Sequence, residues 1–129
     1  LTTFTAGPFN LGTYDPLLAA DTTSHQSMSL KCSGANASLT ITIGGGNAGT
    51  RSDRFMTGPR AGTSQLFYNL FDGNVLWDPA HVVTVSIPGN PSTATAVPVT
   101  ATIPAAVANG RNDVPAGAYT DSVLVTVNF

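Results

Sequence analysis

The stretch from Tyr119 to Phe129 reads YTDSVLVTVNF. Within it Val123, Val125, Val127 and Phe129 alternate with Leu124, Thr126 and Asn128. Successive side chains of a strand point to opposite faces, so one face here is wholly apolar and the other mostly polar. This is the pattern of a half-buried β-strand, expected over roughly Ala118 to Phe129 after the turn at Pro115 to Gly117.

Working back from that strand, the same period recurs. Ser27 to Cys32 places Met28, Leu30 and Cys32 on one face, and Leu39 to Ile43 alternates until Gly44-Gly45-Gly46 breaks it. Gln65 to Phe71 is aromatic-rich and ends at Asp72-Gly73, a strong hairpin signal, with Asn74 to Trp77 beyond it. Val82 to Ile87 and Ala94 to Ile103 complete the set. Pro98 in the latter removes a ladder donor and predicts a sheet edge or a bulge. The one helix-like stretch, Pro16 to Ala20, is too short to be more than a turn. Strands separated by turns, with almost no helix, predict an all-β sandwich or barrel, and residues 1–129 read as a single domain.

Composition narrows the class of partner. Charged residues make up 9% of the chain, against about a quarter in an average domain. There is no Glu, and Lys31, Arg51, Arg54, Arg60 and Arg111 are scattered. Binding to nucleic acid needs a basic stripe, so none is expected. No apolar run reaches the length of about 18 residues that a membrane helix requires, and no membrane insertion is expected. Hydroxyl side chains in place of charge suit the solvent face of a secreted or cell-surface β protein. The 42% of apolar residues supply a core. Cys32 is the only cysteine, either a buried thiol or one partner of a bond to a cysteine outside the chain given.

No constellation of catalytic groups emerges, and neither an enzyme, a metal site nor a cofactor is expected. His25 and His81 have no carboxylate or cysteine at ligand spacing. Ser24-His25 adjacency carries no triad geometry. Arg51 to Arg54, with Asp53 between, reads as a loop ion pair, and Asp72 and Asp78 as turn residues beside Gly73 and Pro79. The three glycines do not lead into a helix, which excludes a phosphate loop. Asn36-Ala37-Ser38 matches a glycosylation acceptor, relevant only in a eukaryotic secretory context. The aromatics Phe67, Tyr68, Phe71 and Trp77 either fill a core by alternate members or line a ligand pocket.

The order of motifs resembles one family. Leu11 to Pro16, LGTYDP, is similar to the FGxYDP signature of the spore coat protein U domain family, whose members include pilins of archaic chaperone–usher (Csu-type) pili. Lys31 to Gly34, Leu39 to Ile43, Arg54 to Met56, Leu66 to Leu70 and Leu76-Trp77 follow in the family's order. Val114 to Phe129, with its Pro-Ala-Gly-x-Tyr-x-Asp core, is the most specific piece. The resemblance implies an incomplete immunoglobulin-like β-sandwich completed by a donor strand from another subunit. It implies as partners neighbouring pilin subunits, a periplasmic chaperone that fills the groove first, and an outer-membrane usher. The place implied is a cell-surface pilus reached through the periplasm. Carried onto this chain, the acceptor groove and the chaperone contact fall on Val123, Val125, Val127 and Phe129. The chaperone is expected to pair with the strand from Ser122 to Phe129 and to hold its terminal carboxylate.

Two features depart from the family pattern. Leu1 to Asn10 lacks both the alternating donor segment and the cysteine that precedes the motif in the family and pairs at the position of Cys32. A fragment that begins after those features, a tip-type domain with no subunit ahead of it, and a variant without the disulfide all account for this. The functions implied are a pilus subunit for adhesion and biofilm formation, a secreted spore or cell-surface coat protein, or a tip adhesin domain that binds surfaces through its loops.

Overall fold

In the computed structural model, residues 3–49, 53–60, 64–90, 92–106 and 112–129 are described. Nine strands follow one another: β1 (Thr3–Thr5), β2 (Thr22–Lys31), β3 (Ala37–Ile43), β4 (Arg54–Thr57), β5 (Gln65–Asp72), β6 (Val75–Leu76), β7 (Val83–Ile87), β8 (Thr95–Ile103) and β9 (Val125–Asn128). A 3₁₀ turn, Gly46–Ala48, separates β3 from β4. The strands form two sheets. The larger runs β1-β2-β8-β5-β4, with β6 paired to β5; the smaller runs β7-β3-β9.

Apolar alternation decides which faces meet. Met28 and Leu30 of β2, Leu39, Ile41 and Ile43 of β3, Leu66, Tyr68 and Leu70 of β5, and Val97, Val99, Ala101 and Ile103 of β8 are buried in one core. Trp77, just after β6, and Cys32, just after β2, join it. Tyr68 and Trp77 therefore fill the core, while Phe67 and Phe71 lie half-buried on the other face of β5. Two packed sheets with this strand order make an immunoglobulin-like sandwich. Tyr119, ahead of β9, donates its hydroxyl back to the Pro115 carbonyl, the kind of bond that closes a corner of such sandwiches.

The strand boundaries differ from expectation for identifiable reasons. β2 begins at Thr22, because the polar Ser24 and Gln26 on its inner face are covered by the N-terminal segment. Ser24 Oγ and Gln26 Nε2 both donate to the Asn10 carbonyl, at 3.5 and 3.0 Å. β1 escapes a pattern search because three residues carry too little period. Pro98 lies in register opposite Ser27 of β2, with no bulge. The pairing of β8 with β5 spans only Thr100 to Thr102, so β8 is locally an edge at Pro98. The last strand is shorter than its alternation suggests. Thr120 bridges Thr57 of β4 in the large sheet, and only from Val125 does the chain pair with β3 in the small one. Residues 121–123 are the crossing between sheets, since the Leu124 carbonyl already accepts from the Gly44 N–H at the end of β3.

Candidate functional site

β9 has one neighbour. Its residues pair with β3 from Thr40↔Asn128 to Ile43↔Val125, and its other edge pairs with no strand among the described residues. The Gly44 N–H donates to the Leu124 carbonyl at 2.8 Å. Backbone groups of alternate residues in an antiparallel ladder point to opposite sides. Leu124, Thr126 and Asn128 therefore face β3, and the N–H and C=O groups of Val125 and Val127 point to the open edge.

Beside that edge runs a groove in two adjoining cavities. One, of about 470 Å³, is lined by Ile43, Tyr68, Leu70, Val123, Val125 and the facing segment Ala6 to Phe9, among others. The second, of about 760 Å³, continues between residues 9–16 and 114–119, over Leu66 and Ile103. Phe9, Leu11, Met56 and Tyr119 border both cavities. An apolar cleft between two unladdered stretches of backbone can accept an extended apolar chain with little rearrangement.

The sequence-derived site residues take different places. Val123 and Val125 line the smaller cavity, and Val127 is half-buried against the core. Phe129 is 83% exposed and lines neither cavity. Cys32 is buried at the end of β2.

Polar groups at the groove's end escaped the sequence reading. Arg54 is no loop group: it opens β4, is fully buried and donates from Nε to the Gly44 carbonyl at 3.0 Å and from Nη2 to the Ile43 carbonyl at 3.1 Å. Burial pulls its guanidinium below the ordinary arginine value, opposed by Tyr68, Asp121 and Asp78. Arg51 lies outside the described residues. Tyr68, opposite Arg54 in the ladder, donates to Asp121 Oδ2 at 2.7 Å. Burial first, and then that bond, pushes its phenol well above the usual tyrosine range. Asp121 Oδ1 also accepts from the N–H groups of Asn47 at 2.9 Å and Ser122 at 2.8 Å. The spacing of Asp121 from Tyr119 within the last motif was visible; its partners Tyr68 and Asn47 were not, because they come from two distant segments.

Asn112 shows the same kind of long-range clamp. Fully buried, it accepts from the Phe67 N–H at 2.8 Å and donates to the Phe67 and Pro104 carbonyls, each at 2.9 Å. Its own carbonyl accepts from the Tyr14 hydroxyl at 3.0 Å, tying the LGTYDP stretch to the groove wall. Burial raises the Tyr14 phenol above its ordinary value. Away from the groove, His81 Nε2 lies 3.3 Å from Asp72 Oδ2, with its ring edge-on to Trp77. No group of three metal-ligating side chains occurs among the described residues.

The family model of the Spore Coat Protein U domain matches residues 2–126. The chain belongs to that family. No curated protein matches this sequence. A chain of the solved structure described as "Chaperone-tip adhesin complex is vital for synergistic activation of CFA/I fimbriae biogenesis" is similar in fold, with a TM-score of 0.60 at 13% identity. The likeness covers 95% of this spore coat protein U domain and 39% of that longer chain. Among the described residues no helix is long and apolar enough to cross a membrane, which leaves β-barrels unaddressed.

Proposed function

We propose that this spore coat protein U domain is a structural subunit of an archaic chaperone–usher pilus, assembled by donor-strand complementation. A strand from a neighbouring subunit enters the groove, pairs with β9 along its open edge and buries apolar side chains against Val123, Val125 and Val127. Before assembly a periplasmic chaperone occupies the same place, and an outer-membrane usher exchanges the one for the other. The pilus serves adhesion and biofilm formation at the cell surface. Cys32 pairs with a cysteine outside the sequence in hand. Residues 1–129 act as one domain in this scheme.

The observation that carries the reading is the outer edge of β9, unpaired among the described residues and lying along an apolar groove. Each large apolar side chain fully buried there contributes about 1.5–3 kcal/mol, so a few suffice for tight capture. Left open, the same edge invites aggregation.

The test is to purify the full chain with and without a lysine-capped peptide of alternating valine and threonine. Alone, the chain should be oligomeric or unfold at low temperature. With peptide it should become monodisperse, and its melting temperature should rise with peptide concentration, since a ligand at a hundred times its Kd stabilises by about 2.7 kcal/mol. A stable monomer indifferent to the peptide refutes the reading.

A further inference from the structure

We propose that Asp121 is the positioning residue of the groove: its carboxylate latches the crossing between the two sheets, so that one groove wall is in place before any strand arrives. The inference rests on the donor-strand reading above and concerns what makes the groove ready to bind.

The geometry is specific to the crossing. At Thr120 the chain belongs to the large sheet, through its bridge to Thr57, with N–H···O bonds of 2.8 and 3.0 Å. At Leu124 it belongs to the small sheet, through the bond from Gly44. Between those anchors, residues 121–123 border the smaller cavity and have no strand partner among the described residues. Asp121 is the side chain that fixes them. One oxygen gathers the N–H groups of Asn47 and Ser122, and the other takes the hydroxyl of buried Tyr68, from the floor of the cavity.

The turn that Asp121 grips is itself held rigidly. Arg54 bonds the carbonyls of Ile43 and Gly44 from the opposite sheet. Gly46, at φ +59°, approaches Asp121 so closely that a Cβ there would lie 2.4 Å from both carboxylate oxygens. Asp121 thus joins the wall to β5 and to the turn after β3 at one point. Without it, the segment keeps its two anchors but samples conformations in which Val123 and Val125 do not present one face. Apparent affinity falls by the fraction of competent conformers, and the loss appears in the association rate because closure must precede pairing.

The experiment compares the wild-type domain with Asp121→Ala, Asp121→Asn and Tyr68→Phe. It measures association and dissociation rates of the fluorescent, lysine-capped valine–threonine peptide by stopped flow, and the melting temperature of each peptide-saturated protein. Asp121→Ala should slow association at least tenfold while changing dissociation less than threefold. Asp121→Asn keeps an oxygen for the two backbone N–H groups and should recover most of the rate. Tyr68→Phe, which loses one of three bonds, should fall between. Unchanged association in Asp121→Ala overturns the proposal. So does an equal loss in association and in the stability of the filled form, the mark of a merely structural residue. If Asp121→Ala does not fold, the same comparison is made between Tyr68→Phe and wild type, and equal association rates overturn the proposal. Peptide that fails to bind even wild type refutes the donor-strand reading instead, and that outcome is told apart by the wild-type trace alone.

Discussion

Replacing Val125 and Val127 by threonine separates a face that another chain covers from one that stays wet. Both side chains point inward from β9, and both are only half-buried in the chain by itself. Threonine has nearly the same shape and suits a strand equally well, so a hydroxyl at either position keeps its water in the unfilled protein. The cost to the chain alone should stay within about 1 kcal/mol per site. In the filled groove the hydroxyl loses water and meets only apolar groups, which costs about 1–3 kcal/mol. Since 1.4 kcal/mol is a factor of ten, the Kd for the alternating valine–threonine peptide should rise about tenfold per substitution. The double variant should approach a hundredfold, less whatever coupling the two neighbours on one face share. Fluorescence anisotropy titration gives the Kd, and urea denaturation gives the stability of the unfilled chain. Thr126→Val, on the opposite face, is the control and should bind within threefold of wild type. Unchanged affinity in the double variant refutes the reasoning. A loss of free-chain stability as large as the loss of binding does so equally, because the valines would then be ordinary core residues.

Three further outcomes follow from the same geometry. Gly46→Ala forces a Cβ against both Asp121 oxygens at a positive φ, and should cost more than about 1 kcal/mol, or roughly 4 °C in melting temperature by calorimetry. Asn112→Ala strands the Phe67 N–H and the Phe67 and Pro104 carbonyls, and should lower urea stability by about 3 kcal/mol. Tyr68 keeps its proton in the folded chain where the unfolded chain loses it, because burial and the Asp121 bond raise its pKa. Stability from this group is therefore complete below about pH 10 and is lost as pH rises above it. Denaturation curves of Tyr68→Phe should be flatter than wild type above that pH and no steeper below it.

Much of the sandwich was legible because its strands alternate cleanly. Met28 and Leu30, Leu39, Ile41 and Ile43, and Val97 and Val99 fall on the core face that their spacing predicts. The outer half of β2 was hidden because Ser24 and Gln26 face inward yet are polar, being matched to the Asn10 carbonyl, which is remote in sequence. The alternation of the final stretch was read as one long strand. Alternation records which side of the chain is apolar, not which sheet it pairs with, and so it passed over the crossing at residues 121–123. Arg54 was misjudged for a related reason. Two arginines beside Asp53 read as a loop ion pair, whereas the carbonyl partners of Arg54 lie at the end of β3. Phe129 shares the parity of the inward valines but is exposed, since the ladder to β3 ends at Asn128.

The most direct test of the account is amide hydrogen exchange along β9, measured on the full chain with and without a bound partner strand. In the chain alone, the amides of Thr126 and Asn128 face β3 and should exchange slowly, while those of Val125 and Val127 face the open edge and should exchange fast. When the alternating peptide, or a neighbouring subunit, occupies the groove, Val125 and Val127 should become protected at least as well as their neighbours. If those two amides exchange as fast in the complex as in the chain alone, the strand does not pair at β9, and the assembly mechanism proposed for this domain is wrong.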